Sequence, residues 1–295
     1  MITDAMVHDF GDLFRGRDDV YGAVWGQCVQ QHVSHDLWRA HLEGETSVGI
    51  YPLVGNHVWW GCTDIDRGYE ASWPLARNIQ KALHSLGITS WIERTKSKGF
   101  HVWTFAKAAV EAEWMRNALL VAHQIAGVPP TEVNPKQLTG VYGNYVNVPY
   151  AGEYVNLGKR VIVDERGEPM EFVNFLTLAM RSLTAPSIYQ QAASLYVPPK
   201  KKHVHLTCDE APQLDYTITS RLSGLAWTIL REGPLEGRDR SGTLMRLAHL
   251  CVESDLNPDE TLAVISDADA RWGKFTARGA LHELEKIVER AHETA

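Results

Sequence analysis

The apolar positions of residues 1–196 follow the helical period in some stretches and the strand pattern in others. Apolar residues three and four apart predict three helices, the first capped by Ser72 and ended by Gly87. They lie at about 72–86, 110–125 and 171–180. Segments rich in valine, isoleucine and aromatic residues predict strands at 47–53, 57–65, 88–93, 100–105, 143–149 and 161–163. The first two are expected to form a hairpin with its turn at Gly55-Asn56. This order predicts an α+β fold with an antiparallel component.

A second patterned region begins near residue 213 and is helical throughout. Its apolar spacing predicts four helices that pack as a compact bundle. They lie at about 216–231, 243–254, 258–272 and 277–293. The third has the clearest start, with Asn257 as cap, Pro258 at the first position and Glu260 where a capping-box carboxylate belongs.

The stretch between the two regions opens with two prolines and three lysines at 198–202. Neither a helix nor a central strand accommodates that sequence easily, which predicts an exposed linker. We therefore expect a first domain at 1–196, a linker at 197–212 and a helical domain at 213–295.

Composition and charge narrow the class of protein. Of the 295 residues, 44% are hydrophobic and 22% charged, which excludes a disordered or fibrous chain. A net charge of −7 means that any contact with nucleic-acid phosphates depends on local basic patches. The four cysteines form no CxxC pair, and neither a membrane span nor a secretory start is evident. These features predict a soluble protein of a reducing cytoplasm.

The first candidate for chemistry is a pair of aspartates at the end of the strand predicted at 57–65. Side chains alternate along a strand, so Asp64 and Asp66 point to the same face, roughly 7 Å apart along the backbone. Two carboxylates so placed are natural oxygen ligands for Mg²⁺ or Mn²⁺, and without a cation they repel each other. The alternative interpretation is a solvated turn before Gly68.

The second candidate is the basic turn between the strands predicted at 88–93 and 100–105. Ser97, Gly99 and neighbouring backbone amides are placed to donate to phosphate oxygens, and His101 just inside the next strand is placed to do the same. The turn also carries three cations: Arg94, Lys96 and Lys98. The alternative is a basic hairpin tip with a histidine packed beneath aromatic residues.

The third candidate spans residues 131–137 and 143–150. Glu132 offers a third carboxylate and Lys136 a further phosphate contact. Asn144 and Asn147 offer hydrogen bonds to a ribose, a base edge or a phosphate. Taken alone, these are ordinary loop residues.

Taken together, the motifs resemble the archaeo-eukaryotic primase superfamily, particularly the primase-polymerases of phages, plasmids and related mobile elements. The motifs are DxD at 64–66, SxGxH at 97–101, ExxPKQ at 132–137 and GNxxNxPY at 143–150. The segment 47–52 resembles the lead-in to the DxD strand, and 159–176 resembles the family's segment after the core. The resemblance covers roughly residues 40 to 185, and the helical tail is similar to the bundle often found after the catalytic domain.

The resemblance implies an RRM-like catalytic core with a mixed, largely antiparallel sheet, followed by an all-α bundle. In the family, the DxD acids and a later acid hold two cations, which implies a catalytic, metal-binding role for Asp64, Asp66 and Glu132. Asp164 is the weaker alternative for the third acid. The Ser and His of SxGxH bind the incoming triphosphate. The nucleotide-binding candidates are Ser97, Lys98, Gly99, His101, Arg94, Lys96, Lys136, Asn144 and Asn147.

The activity implied is that of a DNA-dependent primase-polymerase that makes and extends primers from NTPs or dNTPs on single-stranded DNA. It implies a two-metal site for Mg²⁺ or Mn²⁺ and a role in replication of a phage or mobile element, in the cytoplasm of a bacterial host. The resemblance also implies a replicative helicase domain or protein as a partner, and the absence of a GxxxxGK[ST] loop predicts no helicase motor in this chain itself. Two alternatives stay open. One is a DxD glycosyltransferase, which leaves SxGxH and GNxxNxPY unexplained, and the other is a non-catalytic nucleic-acid-binding module.

Overall fold

The structure is a computed structural model that describes residues 2–23, 26–130, 132–140, 143–198, 213–234 and 239–293. The chain divides into two compact units, Met1–Val197 and Pro198–Ala295. The linker predicted at 197–212 lies outside the described residues, apart from its first two positions. Among the helices described, none combines the length and the apolar character that crossing a bilayer requires.

The described residues of the first unit form nine strands and seven helices. The strands are β1 (Tyr21–Gly22), β2 (Cys28–Val29), β3 (Gly49–Ile50), β4 (His57–Ile65), β5 (Ser90–Arg94), β6 (Phe100–Glu111), β7 (Glu132–Asn134), β8 (Val146–Asn147) and β9 (Val161–Val163). The helices are α1 (Asp4–Leu13), α2 (His35–Glu43), α3 (Tyr69–Ser85), α4 (Ala112–Ala126), α5 (Gly152–Val155), α6 (Phe172–Arg181) and α7 (Pro186–Ala193).

The strands form two sheets. One has five strands in the order β7-β4-β6-β5-β9, and the other has four in the order β2-β1-β3-β8. Every neighbouring pair of these strands is antiparallel, and outside them an isolated parallel bridge joins Ala106 to Thr184. The predicted α+β fold is confirmed.

Helices cover both faces of the five-stranded sheet. On one face, α4 packs so closely that a Cβ at Gly61 would lie 2.7 Å from the Met115 sulfur. On the other face, Phe14 at the end of α1 makes edge contacts with Trp103 and Phe105 of β6. Full burial of a ring such as Phe14 contributes about 1.5–3 kcal/mol. The polar ends of the central strands are therefore anchored by apolar packing behind them.

The predicted hairpin at 47–65 is wrong in its first strand. β3 has only two residues and belongs to the four-stranded sheet, so that only the bridge between Val54 and His57 closes the turn at 55–56. The reason lies in the sequence, because Pro52 has no N–H to offer a ladder at that point. The predicted strand at 143–149 likewise shortens to β8.

The helix predicted from Ser72 begins earlier, at Tyr69, with Gly68 at its N-cap. Ser72 is fully buried, and its hydroxyl accepts the N–H of Arg67 instead of capping the helix. The helices α1, α2, α5 and α7 were not predicted. Thr3 and Ser34 cap the first two by accepting a backbone N–H three residues on.

Among its described residues, the regular secondary structure of the second unit is all helical. Its helices are α8 (Tyr216–Thr219), α9 (Gly224–Glu232), α10 (Arg240–Glu253), α11 (Pro258–Trp272) and α12 (Leu281–Glu293). The capping box of Asn257 and Glu260 forms at the predicted start of α11. The helix predicted at 216–231 is two helices, because Ser223 caps α9 through a bond from the Ala226 N–H. The last predicted helix is also interrupted, at the left-handed Gly279.

Candidate active site

Four ionisable side chains lie side by side across the five-stranded sheet. The register pairs Glu132 with Asp64, Asp64 with His101, and His101 with Glu93, on the adjacent strands β7, β4, β6 and β5. Cross-strand partners point to the same face, with Cβ atoms about 5 Å apart. We call these four residues the strand-end row. Three acids thus flank one histidine on a single face.

The buried member of the strand-end row is Glu93, whose side chain is 2% exposed. Its Oε2 accepts hydrogen bonds from Nδ1 of His101 at 2.9 Å and from Nε1 of Trp103 at 2.7 Å. Because Nδ1 donates to Glu93, the other ring nitrogen, Nε2, is the one that lies 3.8 Å from Oδ1 of Asp64. Burial alone lowers the pKa of His101, but the charges of Glu93 and Asp64 outweigh it and raise that pKa. The surroundings therefore favour the imidazolium.

The two DxD aspartates share a cavity at the end of β4. Burial raises the pKa of Asp64, and the neighbouring charges of Glu132 and Asp66 add to the rise, whereas His101 opposes it. Asp66 lies beside the basic turn, with 3.9 Å between its Oδ2 and Nζ of Lys98. The carboxylates are thus concentrated more closely than their charges favour.

Gly99 lets the basic turn approach the DxD pair. A Cβ at this position would lie 2.3 Å from the Ile65 carbonyl oxygen and 3.1 Å from Cα of Asp66. Thr95 closes the turn, since its hydroxyl donates to the Gly99 carbonyl at 3.0 Å. Tyr69 of α3 in turn donates to the Thr95 carbonyl. The glycine of SxGxH therefore fixes the turn against the backbone between the two aspartates.

The third predicted acid, Glu132, holds its carboxylate next to Lys136, with 2.6 Å between Oε1 and Nζ. Arg116 of α4 anchors this segment by donating to the main-chain oxygens of Val133, Pro135 and Lys136 at 2.9 to 3.2 Å. Glu132 is a neighbour of Asp64 in the strand-end row, but neither it nor Lys136 lines the cavity.

The cavity beside the strand-end row has a volume of about 230 Å³. Its lining residues are Asp64, Asp66, Glu93, Thr95, Lys96, Ser97, His101, Asn147 and Arg160. Six of these are sequence-predicted site residues drawn from three motifs, so the structure brings DxD, SxGxH and GNxxNxPY to one place. Carboxylates and cations share this small space, which suits a ligand that carries phosphates beside a metal ion.

Lys98 and Gly99 of the basic turn do not line the cavity, and neither do three predicted residues outside that turn's tip: Arg94, Asn144 and Asp164. The guanidinium of Arg94 donates to the carbonyls of Gly158 and Gly167, at 3.3 and 2.6 Å, and so ties two loops together. Asn144 is held from the side by Gln137, whose Oε1 accepts the Asn144 N–H at 3.2 Å. Asp164, the alternative third acid, follows β9 and lines a different cavity. The Glu168 and Arg166 N–H groups bond to it and lower its pKa.

Thr95 and two charged lining residues, Glu93 and Arg160, were missed from the sequence. Glu93 had a usable signal, because a tight turn between the two predicted strands places it opposite His101. Arg160 had none, since it lies in a loop before β9 with a left-handed backbone, φ 48°. Both are buried charged residues, which are uncommon unless paired or functional.

The donor types in the cavity fit a hard divalent cation. Asp64 and Asp66 offer carboxylate oxygens, which are the ligands that Mg²⁺ and Mn²⁺ prefer. The raised pKa of Asp64 reflects burial first and the neighbouring negative charges second, and a bound cation would offset both. In the arrangement of the described residues, no three His, Cys, Asp or Glu side chains already converge as a metal cage.

Comparisons with known proteins agree with the resemblance to the archaeo-eukaryotic primases. Residues 27–184 match the family model described as the TOTE conflict system, Archaeo-Eukaryotic Primase domain. The chain therefore belongs to this family of archaeo-eukaryotic primase domains. Its superfamily of primase-polymerases is generally dependent on divalent metal ions. Among curated protein sequences, none is similar enough to be counted as a relative.

Solved structures show distant similarity. The archaeo-eukaryotic primase domain of the cyanophage S-2L primase-polymerase is 14% identical, with a TM-score of 0.34 over 60% of this chain and 98% of that one. The polymerase domain of Mycobacterium tuberculosis ligase D, in complex with DNA, is 14% identical, with a TM-score of 0.28 over 59% and 69%. The primase RepB′ is 13% identical, with a TM-score of 0.28 over 98% and 94%.

Proposed function

We propose that this chain is a primase-polymerase, a nucleotidyltransferase that joins nucleotides on a single-stranded DNA template. Membership of the archaeo-eukaryotic primase family supports this activity class. The observation that carries the proposal is that the DxD carboxylates, Ser97 and His101 line one cavity. An acidic group for cations and a basic group for phosphates are the two things that nucleotidyl transfer needs.

In this proposal the cavity receives the triphosphate of an incoming NTP or dNTP. Ser97 donates its hydroxyl, and Lys96 contributes positive charge, to the phosphate oxygens. His101 donates from Nε2, and Glu93 behind it stabilises the imidazolium as negative charge develops on the leaving pyrophosphate.

Asp64 and Asp66, with Glu132 from the neighbouring strand, would hold Mg²⁺ or Mn²⁺. When bound, the two ions supply Lewis-acid stabilisation of the entering and leaving oxygens. For Glu132 to join them, its carboxylate has to leave Lys136, which then becomes free to contact phosphate. Asp164 is not a metal ligand in this proposal, because its carboxylate accepts hydrogen bonds from the Arg166 and Glu168 N–H groups of its own turn.

The proposal extends to the substrates and setting. Template strand and nucleotides are the primary partners, the helical unit assists in holding the template, and a helicase acts alongside. The biological setting proposed is replication of a phage or mobile element.

The test is incubation with unprimed and primed single-stranded DNA, Mn²⁺ or Mg²⁺, and labelled NTPs or dNTPs in separate reactions. We expect products resolved by size that depend on template and disappear in the double variant Asp64→Asn, Asp66→Asn. Release of a nucleoside diphosphate from a sugar nucleotide would instead identify a glycosyltransferase. DNA binding without incorporation on any template, unchanged in the double variant, would identify a non-catalytic module.

A further inference from the structure

Arg160 is a buried cation in the wall of the cavity. The residue is 8% exposed, and its side chain lines the same space as Lys96, Ser97 and His101. Within the described part of the chain, no carboxylate lies within 4.0 Å of its guanidinium. A buried charge is costly unless it is paired. Among the described residues, the guanidinium therefore has no carboxylate at ion-pair distance.

The contacts that Arg160 does make hold it without neutralising it. One Nη donates to the Ser47 hydroxyl, and the guanidinium lies 4.9 Å from the centre of the Tyr154 ring. The ammonium of Lys96 lies 4.8 Å from the centre of the same ring. Tyr154 thus holds two cations near each other through its π system, an arrangement that keeps both positive charges available.

The positive charge of Arg160 acts on a buried histidine, His41, which is uncharged. His41 is fully buried, accepts the Val48 N–H at Nδ1 and donates from Nε2 to the Pro149 carbonyl. Burial first, and the positive charge of Arg160 as well, lower the pKa of His41 to about 4. His41 is therefore a neutral ring and brings no charge of its own to the surroundings of Arg160.

The backbone at Arg160 is held in an unfavourable conformation. Its φ of 48° lies in the left-handed region that favours glycine, and its carbonyl accepts the N–H of Tyr150, whose φ is 61°. A glycine would relieve this strain. The presence of arginine at such a position points to a use for its side chain.

We infer that Arg160, paired with Lys96 across the Tyr154 ring, is a phosphate-binding residue of the cavity that receives the terminal phosphates of a nucleoside triphosphate. The inference rests on the proposed function for the identity of that ligand. A guanidinium presents a planar fork of N–H donors that matches two phosphate oxygens. The phosphates complete the missing ion pair, whereas the carboxylate side of the cavity repels them unless cations are bound. Tyr154 acts as a positioning residue for both cations.

The test measures binding of inorganic tripolyphosphate and of ATP to the full chain by titration calorimetry, with and without Mg²⁺. Arg160→Gly removes the charge at a backbone position that suits glycine, and Arg160→Lys keeps the charge without the fork. We expect both probes to bind about tenfold more weakly or worse to Arg160→Gly, with partial recovery in Arg160→Lys. Lys159→Gln is the matched control, because it removes an adjacent charge that does not line the cavity, and its affinity stays that of the wild type.

Unchanged tripolyphosphate affinity in Arg160→Gly, with wild-type thermal stability, overturns the inference. An equal loss in Lys159→Gln also overturns it, because general charge would then explain the binding. If Arg160→Gly does not fold, Arg160→Lys is compared with the wild type instead. Unchanged tripolyphosphate affinity in Arg160→Lys then overturns the inference. The proposed function can fail separately from this inference. If the wild-type chain binds triphosphate through Arg160 but makes no polymer, the proposed polymerase activity is contradicted and this inference stands.

Discussion

His101, which is partly buried, and His41, which is fully buried, are two histidines with opposite electrostatic surroundings. His101 lies between the carboxylates of Glu93 and Asp64, which raise its pKa against the effect of burial. His41 has no acid beside its ring in the described hydrogen bonds, and burial lowers its pKa to about 4. The surroundings of His101 favour a charged ring next to the cavity. The ring of His41 is neutral and links the segments at Val48 and Pro149. The difference separates a candidate functional histidine from a structural one, although the sequence shows only two histidines near aromatic residues.

The largest effect is expected when a carboxylate of the cavity is removed. Asp64→Asn keeps the shape of the side chain and removes the charge that cations need. We expect primer synthesis to fall by about a thousandfold or more. The thermal unfolding temperature should equal or exceed that of the wild type, because repulsion within the strand-end row is relieved. Full synthesis by a folded Asp64→Asn chain would refute the assignment of the acids.

Removing the neutral ring should instead affect stability. His41→Ala leaves the Val48 N–H and the Pro149 carbonyl unpaired in a buried place and opens a void. We expect the free energy of unfolding to fall by about 3 kcal/mol or more. Denaturant titration measures this change. A loss of less than about 1 kcal/mol would mean that the ring is not a structural link between these two segments.

The pH dependence of stability sharpens the same point. The pKa of His41 is about 4 in the folded chain, below its ordinary value of 6.5. The unfolded chain therefore binds a proton at a pH where the folded chain does not. The resulting stability is fully present above pH 6.5 and is lost as the pH falls toward 4, by about 3 kcal/mol. Unfolding measured from about pH 7 to 4.5 should show a shallower decline in His41→Gln than in the wild type. Parallel curves would contradict the lowered pKa.

The smallest effect is expected at His101. His101→Asn removes one donor to phosphate and leaves the acids in place. We expect KM for nucleotide to rise about 10- to 100-fold, with a smaller change in kcat. His84→Asn, on an exposed part of α3, is the control and should behave as the wild type. An unchanged KM in His101→Asn would remove this residue from the nucleotide site.

Much of the site's location could be predicted because it depends on local rules. Strand alternation predicts that Asp64 and Asp66 share a face, and both line the cavity. The predicted strand pair at 88–93 and 100–105 is confirmed as β5 and β6, with the basic turn between them. Their register then places His101 across from Glu93, a pairing that needs only the length of the turn.

The other parts of the fold and of the site depend on contacts between segments that are far apart in the sequence. The strands β1, β2, β3 and β8 have two residues each, too few for any periodic signal, so the four-stranded sheet could not be predicted. The three residues of β7 are equally short of such a signal, yet they place Glu132 beside Asp64. Arg160 reaches the cavity from a left-handed loop position that no sequence pattern specifies.

The motif GNxxNxPY contains one further packing constraint. The ring of Tyr145 lies against two glycines of the four-stranded sheet, where a Cβ at Gly22 or Gly49 would come within 2.5 or 2.3 Å of it. A methyl group at either position and this ring are mutually exclusive. In an alignment of relatives we therefore expect these three positions to covary: lineages that replace the tyrosine by a small residue become free to lose the glycines, and lineages that keep it do not.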